Sequence, residues 1–184
     1  MLPFYIGFLA LEKDFFGLES FIRNFIPLVK TPEQRKIITY LSVVQDYLGL
    51  SLPSFFFAKL LKNVSTTTSI RLTEVLPVGF DHILNEYRDG GVTYWSIRHS
   101  LFAKQFKEQL LRSNSSQQNS WKDNLPELCI DLIEDSKLLG EQSAQIQEKI
   151  LQPLFIGRRE QRGGKTFTVL VEEMNADARE SVFL

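Results

Sequence analysis

The residues of this chain that could ligate a metal or act as nucleophiles are few. Its 184 residues include two histidines, His82 and His99, and one cysteine, Cys129. A zinc site built from cysteine and histidine takes about four such ligands, so these three residues do not complete one. A single cysteine excludes an intramolecular disulfide and fits a reducing compartment. Because Cys129 falls on an apolar helical stripe, we expect a buried structural thiol rather than a nucleophile.

One segment ends like a phosphate-binding loop. Gly163-Gly164-Lys165-Thr166 contains the last three residues of the pattern Gly-x-x-x-x-Gly-Lys-Ser/Thr. The first glycine of that pattern would fall at Arg159, and Gly157 lies two positions too early. The following residues, 167–171, predict a strand or an irregular packing segment, whereas a phosphate-binding loop leads into a helix whose N-terminus holds the phosphates. We interpret the segment as a basic turn without an ATP site.

The remaining chemically active residues give no catalytic pattern. The acidic pairs Glu134-Asp135 and Glu172-Glu173 are adjacent, so their side chains diverge in regular structure and are expected to be solvated. His82 stands beside apolar residues on a predicted helix, which indicates a half-buried or surface histidine. No serine, histidine and acid stand at a spacing that supports a triad. The sequence therefore predicts a protein that is not an enzyme.

Composition narrows the choice of partners. Hydrophobic residues make up 43% and charged residues 23% of the chain, and the formal net charge is −1. These values are ordinary for a globular protein, and they provide no overall positive field to attract nucleic acid or anionic lipid. The apolar run Leu2–Leu11 is shorter than the roughly 20 residues of a membrane-spanning helix, and no basic residue precedes it. We expect a buried helix there, no membrane partner and a cytoplasmic location.

The pattern of apolar residues divides the chain into four parts and predicts a mainly α fold. Residues 1–30 are expected to form a helical subdomain, in which Asp14–Phe25 is a helix. Residues 31–112 are expected to form a winged helix, residues 113–123 a polar linker, and residues 124–184 the start of a further helical region.

The winged-helix prediction begins with three helices. Thr31-Pro32-Glu33-Gln34 has the spacing of a capping box with proline at the first helical position, so a helix should begin there and end at Gly49. Further apolar periodicity predicts a second helix over Pro53–Lys62. A third is predicted over Leu72–Tyr87, with a break at Pro77.

The predicted wing follows at once. Asp89-Gly90-Gly91 supplies residues that adopt positive φ in a hairpin turn. The β-rich stretch Val92–His99 alternates, so Thr93, Trp95 and Ile97 should share one face. Ser100 is expected to cap a trailing helix whose apolar residues repeat every four positions, namely Phe102, Phe106 and Leu110.

The C-terminal region continues with helical signals. Asn124, with Glu127 three positions later, suggests a capping box for a helix that ends at Gly140. Residues 144–152 are also expected to be helical. Between the winged helix and this region, the polar stretch Arg112–Ser120 predicts a flexible linker.

Four segments together resemble the part that follows the nucleotide-binding core in STAND-type NTPases, the class of signalling ATPases that includes NACHT and NB-ARC proteins. They are GFLALEKDFFGLESFIRNFI, YLSVVQDYLGLSLPSFFFAKLL, VTYWSIRHSLFAKQFKEQLL and LFIGRR with KTFTVLVEEM. The resemblance implies a helical subdomain, a winged helix and the first helices of a C-terminal array. It also implies that ADP or ATP is bound by a core outside this chain, and that this core is the partner of the chain.

The resemblance places His99 where many STAND winged helices carry the histidine of a Met-His-Asp-like motif, which contacts the β-phosphate of ADP in the closed form. Arg98 and Ser100 stand in place of the methionine and the aspartate. An imidazole N–H can donate to a phosphate oxygen, and Arg98 adds positive charge. The alternative is a histidine that packs at the strand–helix junction and caps the helix.

Two other functions stay open. A winged helix can bind DNA, but the predicted third helix carries Arg71 and Arg88 only at its two ends, with acidic residues between them, namely Glu74, Asp81 and Glu86. Carboxylates on that face would be repelled by the phosphate backbone, so nucleic acid is an unlikely partner. The other alternative is a helical adaptor that binds protein partners through its apolar faces.

Overall fold

A computed structural model describes residues 18–61, 70–112, 120–158, 165–167 and 169–174 of the chain. The predicted helix Leu2–Leu11, most of the predicted linker and the glycines of the basic turn lie outside these residues. The described part is mainly helical, with a three-stranded antiparallel sheet and a separate two-stranded hairpin. Within these ranges no helix combines the length and the apolar character that crossing a membrane requires.

The first described helices lead into the longest one. Helix α1 spans Leu18–Arg23, a 3-10 turn spans Ile26–Leu28, and α2 spans Pro32–Leu48. The capping box is confirmed: the Thr31 hydroxyl accepts from the Gln34 amide at 3.1 Å, and the Gln34 side chain accepts from the Thr31 amide at 3.4 Å. The helix ends where Gly49 adopts φ +65°, as the sequence predicts.

The second predicted helix begins one residue later than expected. Strand β1 is Leu52–Pro53, and helix α3 follows over Ser54–Leu60. Pro53 is placed opposite Tyr94 at the edge of the sheet, where a residue without an N–H is tolerated. The proline therefore belongs to the sheet rather than to the helix.

The predicted helix over Leu72–Tyr87 is wrong. The chain forms only a short helix α4, Leu72–Val75, then a 3-10 turn, Phe80–His82, and then strand β2, Leu84–Asp89. Leu76 is extended because it precedes Pro77, and a positive φ at Gly79 turns the chain again. Residues from Leu84 onward pair with the next strand, so sheet formation overrides their helical spacing.

The predicted hairpin is confirmed. Gly90 and Gly91 adopt φ +54° and +80°, and β3 runs over Val92–Ile97. The sheet order is β1-β3-β2 with both pairings antiparallel. The predicted buried residues Thr93, Trp95 and Ile97 are confirmed as buried, and Ser96 between them is buried as well. Helix α5 spans Ser100–Leu111 and buries the predicted stripe of Phe102, Phe106 and Leu110.

The C-terminal region is a series of short elements. Their bounds are a 3-10 turn Trp121–Asn124, α6 Leu125–Lys137, a 3-10 turn Gly140–Gln142, α7 Ser143–Ile146, a π turn Gln147–Leu151, α8 Gln152–Phe155, β4 Ile156–Arg158, β5 Lys165–Phe167 and α9 Val169–Glu173. The helical prediction for residues 144–152 is confirmed by α7, the π turn and the start of α8. The strand prediction is wrong for residues 169–171, which belong to α9.

The predicted capping box of α6 is wrong. The Asn124 side chain makes no cap hydrogen bond, because its amide donates instead to the Leu111 carbonyl oxygen at 2.6 Å. Ser120 caps the preceding 3-10 turn. Helix α6 ends at Lys137, three residues before the predicted stop at Gly140.

One hydrophobic core connects these elements. Helix α2 packs lengthwise against α5 and also contacts β3 and α8. An aromatic row joins the N-terminal part to α5, with ring centroids 5.5 Å apart for Phe25 and Phe80 and 5.8 Å apart for Phe80 and Phe106. The buried cluster extends from Ile22 to Met174, so α9 packs on the same core as α1.

Candidate functional site

The two predicted phosphate-sensing residues lie at the junction between β3 and α5. His99 is the N-cap of α5, and its Nδ1 accepts a hydrogen bond from the Leu101 amide at 3.3 Å. The prediction that Ser100 caps this helix is therefore wrong. With Nδ1 acting as an acceptor, the proton of a neutral ring is carried by Nε2. His99 is exposed, so this Nε2–H is a donor that the cap does not use.

The side chain of Arg98, the residue before His99, is held by main-chain oxygens. Its Nε donates to the Leu84 carbonyl at 2.7 Å, and its Nη2 donates to the Asp81 carbonyl at 3.3 Å. The side chain is exposed although its guanidinium is oriented by Asp81 and by Leu84, the first residue of β2. The two successive residues thus offer one positive charge and one imidazole donor, each of which can interact with an anion.

A second polar site was missed by the sequence predictions. Only 2% of the Lys107 side chain is exposed, and its ammonium lies 2.7 Å from the Asp46 carboxylate. The same ammonium donates to the Tyr47 hydroxyl at 2.7 Å and lies 3.5 Å from the Glu173 carboxylate. The Tyr47 hydroxyl donates to Glu173. The rings of Tyr47 and Trp121 lie 4.1 and 4.3 Å from the ammonium.

A similar cluster lies about two turns earlier on α2. The Lys36 ammonium lies 2.8 Å from Asp135 and 3.1 Å from Asp131, both on α6. The Tyr40 hydroxyl donates to Asp135 at 2.7 Å. Each cluster therefore joins a lysine, a tyrosine of α2 and a carboxylate of the C-terminal region.

The two clusters change the acid–base properties of their members. Burial raises the pKa of Tyr40 and of Tyr47, and the hydrogen bonds to Asp135 and Glu173 raise each further. Burial lowers the pKa of Lys36, but its hydrogen bonds to Asp135 and Asp131 outweigh that effect, so the net pKa is raised. Burial also raises the pKa of the Cys129 thiol to about 12, which fits the predicted structural role.

The acidic pairs do diverge, but the expectation that they are solvated is wrong for one member of each. Glu134 and Glu172 are exposed, whereas Asp135 and Glu173 enter the two clusters. For the Glu173 contact, the sequence did contain a signal at the lysine partner. Lys107 occupies the apolar arc of α5, where a lysine requires a buried counter-ion.

An open groove of about 600 Å³ borders the Lys36 cluster, between α2, the end of α5 and the start of α6. Its charged lining is mixed, with Arg35 and Arg112 facing Glu127 and Asp131. The Arg35 guanidinium donates to the Leu110 carbonyl oxygen. This balance of charges selects no class of ligand. In the described ranges, no three histidine, cysteine, aspartate or glutamate side chains are grouped to hold a metal ion.

The last two residues of the segment that resembles a phosphate-binding loop lie in a strand. Lys165 and Thr166 belong to β5, which pairs antiparallel with β4, and Thr166 stands opposite Gly157. In a phosphate-binding loop the lysine would begin a helix instead, because the helix N-terminus contributes to phosphate binding. The strand position of Lys165 and Thr166 therefore argues against a phosphate-binding loop.

His82 lies at the surface of the protein. Its side chain is 57% exposed and its Nε2 lies 3.6 Å from the Asp81 carboxylate. Arg71 pairs with Glu74 at 3.6 Å, and Arg88 belongs to β2 rather than to the same helix as Arg71. No protein-family model, curated protein or solved structure matched this chain.

Proposed function

We propose that this chain is a non-catalytic regulatory part of a STAND-type NTPase. In this proposal residues 31–112 form a winged helix that couples the nucleotide state of a neighbouring ATPase core to the C-terminal helical region. The core supplies the ADP or ATP site and is the main partner, and the protein acts in the cytoplasm together with protein effectors.

The element order supports the winged-helix assignment. Helix, strand, helix, helix, strand, strand and helix follow in sequence from α2 to α5. The first strand pairs with the last, and the order β1-β3-β2 leaves a two-residue hairpin turn at Gly90 and Gly91. This element order and sheet order are what support the winged-helix proposal.

The observation that carries the nucleotide proposal is the bonding of His99. Because Nδ1 is used by the cap, the ring orientation is set by the backbone of α5, and the Nε2–H of a neutral ring is available to an oxyanion. The Arg98 side chain is held by two main-chain acceptors. A β-phosphate at this junction would accept from the Nε2–H of His99, with the charge of Arg98 one residue away along the chain.

The two lysine clusters support the coupling part of the proposal. Helix α2 contacts the C-terminal region through Tyr40 with Asp135 and Tyr47 with Glu173. A displacement of α2 and α5 would therefore be transmitted to α6 and α9 through hydrogen bonds as well as apolar packing.

The test uses the full-length parent polypeptide, in which an ATPase core should precede this region. If His99 donates to ADP only in the closed state, His99→Ala removes one charge-assisted hydrogen bond, about 1.5–3 kcal/mol, and should shift the closed–open equilibrium about 10- to 150-fold. Faster ADP release in a stopped-flow measurement is the expected result.

A matched variant separates the two roles of His99. Serine is a good N-cap but is too short to reach a phosphate as the imidazole does. His99→Ser should keep the cap and yet release ADP as quickly as His99→Ala. An ADP release rate that is unchanged in both variants would reduce His99 to a capping residue.

A further inference from the structure

The two polar clusters that join α2 to the C-terminal region differ in where their counter-ions come from. In the described part of the chain, both carboxylates paired with Lys36 belong to α6. Separating α2 from α6 would leave the Lys36 ammonium without either of them. Separation would break both ion pairs and the hydrogen bond that Tyr40 donates to Asp135 at the same time, so this junction should stay closed.

The Lys107 cluster has the opposite arrangement. The carboxylate nearest to the ammonium is that of Asp46, at 2.7 Å. Asp46 belongs to α2, which packs directly against α5. Glu173 of α9 lies farther away, at 3.5 Å, and its side chain is 28% exposed. If α9 moved away, Lys107 would keep the Asp46 carboxylate, the Tyr47 hydroxyl and the two aromatic rings.

Departure of α9 would therefore leave no unpaired buried charge. Glu173 would return to water, where a carboxylate is well solvated. The polar interactions lost would include the hydrogen bond that Tyr47 donates to Glu173 and the contact of Glu173 with Lys107. What opposes release is apolar packing: Leu170 and Val171 of α9 are 0% exposed, and Met174, which follows the helix, is 2% exposed.

We propose that α9 is a releasable latch on the α2–α5 pair, held by Glu173 at the Lys107–Tyr47 site, whereas α6 is a permanent junction held by Lys36. The charge of Lys107 is balanced in both the latched and the released state. This inference concerns the chain itself, so it stands or fails independently of the nucleotide proposal.

The oxidation of Met174 by hydrogen peroxide, followed by mass spectrometry, reports release directly, because a buried thioether reacts only when it becomes accessible. Glu173→Gln keeps the size of the side chain but removes its charge. We expect Met174 to oxidise about tenfold faster in Glu173→Gln, since a hydrogen bond to a charged but partly exposed carboxylate is weakened. Amide exchange in α2 and α5 should stay within about twofold of the parent chain.

Two controls define the comparison. Glu148→Gln removes an exposed carboxylate from the same region and should leave the Met174 rate unchanged. Asp135→Asn weakens the permanent junction, so it should accelerate amide exchange in α2 and α6 together. This control also shows that the exchange measurement detects opening of α2.

Two results would overturn the latch. One is a Met174 oxidation rate that is the same in Glu173→Gln, in Glu173→Ala and in the parent chain. The other is faster amide exchange that spreads equally through α2 and α5 in Glu173→Gln, which would make α9 part of the same cooperative unit. Circular dichroism confirms beforehand that each variant is folded.

Discussion

The Lys107 ammonium lies 2.7 Å from the Asp46 carboxylate, and the lysine side chain is only 2% exposed. Two adjacent helices, α2 and α5, thus share a buried ion pair within their apolar contact. A buried charge is tolerated only while it is paired and hydrogen-bonded, so the pair constrains how the two helices pack.

Removing Asp46 should destabilise the chain strongly. Asp46→Ala leaves the Lys107 ammonium without its nearest counter-ion, and loss of one member of a buried pair typically costs about 3–5 kcal/mol. Chemical denaturation gives the free energy of unfolding. The matched control is Glu19→Ala, which breaks a pair with Arg23 whose side chains are 50% and 71% exposed. That variant should change stability by less than about 1 kcal/mol, and equal effects of the two substitutions would contradict a buried role for Lys107.

Trp95 should be the most sensitive position of the hairpin. Its side chain is 1% exposed, and its indole N–H donates to the Ile70 carbonyl at 3.2 Å. Trp95→Ala should cost about 3–5 kcal/mol, because it creates a cavity and leaves that carbonyl without this donor. Trp95→Phe keeps most of the packing and should cost less. Thermal unfolding followed by circular dichroism measures both, and an unchanged melting temperature in Trp95→Ala would mean that the strand is not packed as described.

The stability of the chain should fall at alkaline pH. The pKa values of Cys129, Tyr40, Tyr47 and Lys36 are all raised above their ordinary values of 9.0, 10.0, 10.0 and 10.5. Each group therefore contributes stability that is fully present below its unfolded pKa and is lost as the pH rises above that value. The free energy of unfolding should be flat near neutrality and decrease above pH 9 or so, by about 1.4 kcal/mol per pH unit for each group that has lost its proton only in the unfolded chain.

Two substitutions test the origin of this alkaline loss. The double variant Tyr40→Phe, Tyr47→Phe removes two titrating hydroxyls and keeps both rings. Urea unfolding at several pH values should give a shallower decline above pH 10 for this variant than for the parent chain. Identical slopes would show that the two hydroxyls ionise alike in the folded and unfolded chains.

Affinity for DNA should remain in the non-specific range. Arg71 is paired with Glu74, and Arg88 stands on strand β2 next to Asp89, so these two arginines do not share one helical face. Fluorescence anisotropy at several salt concentrations should give dissociation constants no tighter than about 10⁻⁶ M at physiological salt. Tighter, sequence-dependent binding that is reduced by Arg88→Ala or Arg98→Ala would favour a DNA-binding regulator instead.

The sequence by itself determined the elements whose signals are local. The capping box at Thr31, the stop at Gly49 and the hairpin turn at Gly90 and Gly91 depend on hydrogen bonds and φ angles within a few residues. The burial of alternate residues in β3 also follows from a local rule, because side chains of a strand alternate between its faces.

Only the tertiary structure decided the segments whose state depends on a distant partner. The spacing of Phe80, Ile83 and Leu84 fits a helix, but pairing with β3 makes a strand of residues 84–89. Leu52 and Pro53 likewise become a strand because β3 lies beside them.

The polar clusters also depend on residues that are far apart in the sequence, so sequence patterns could not predict them. Tyr47 and Glu173 are 126 positions apart, and no local pattern shows that an acidic residue at the end of α9 returns to α2. The sequence did contain a hint, since Lys107 interrupts the apolar arc of α5. The identity of its counter-ions was decided by packing, because burial strengthens an interaction between charges that in water would be weak.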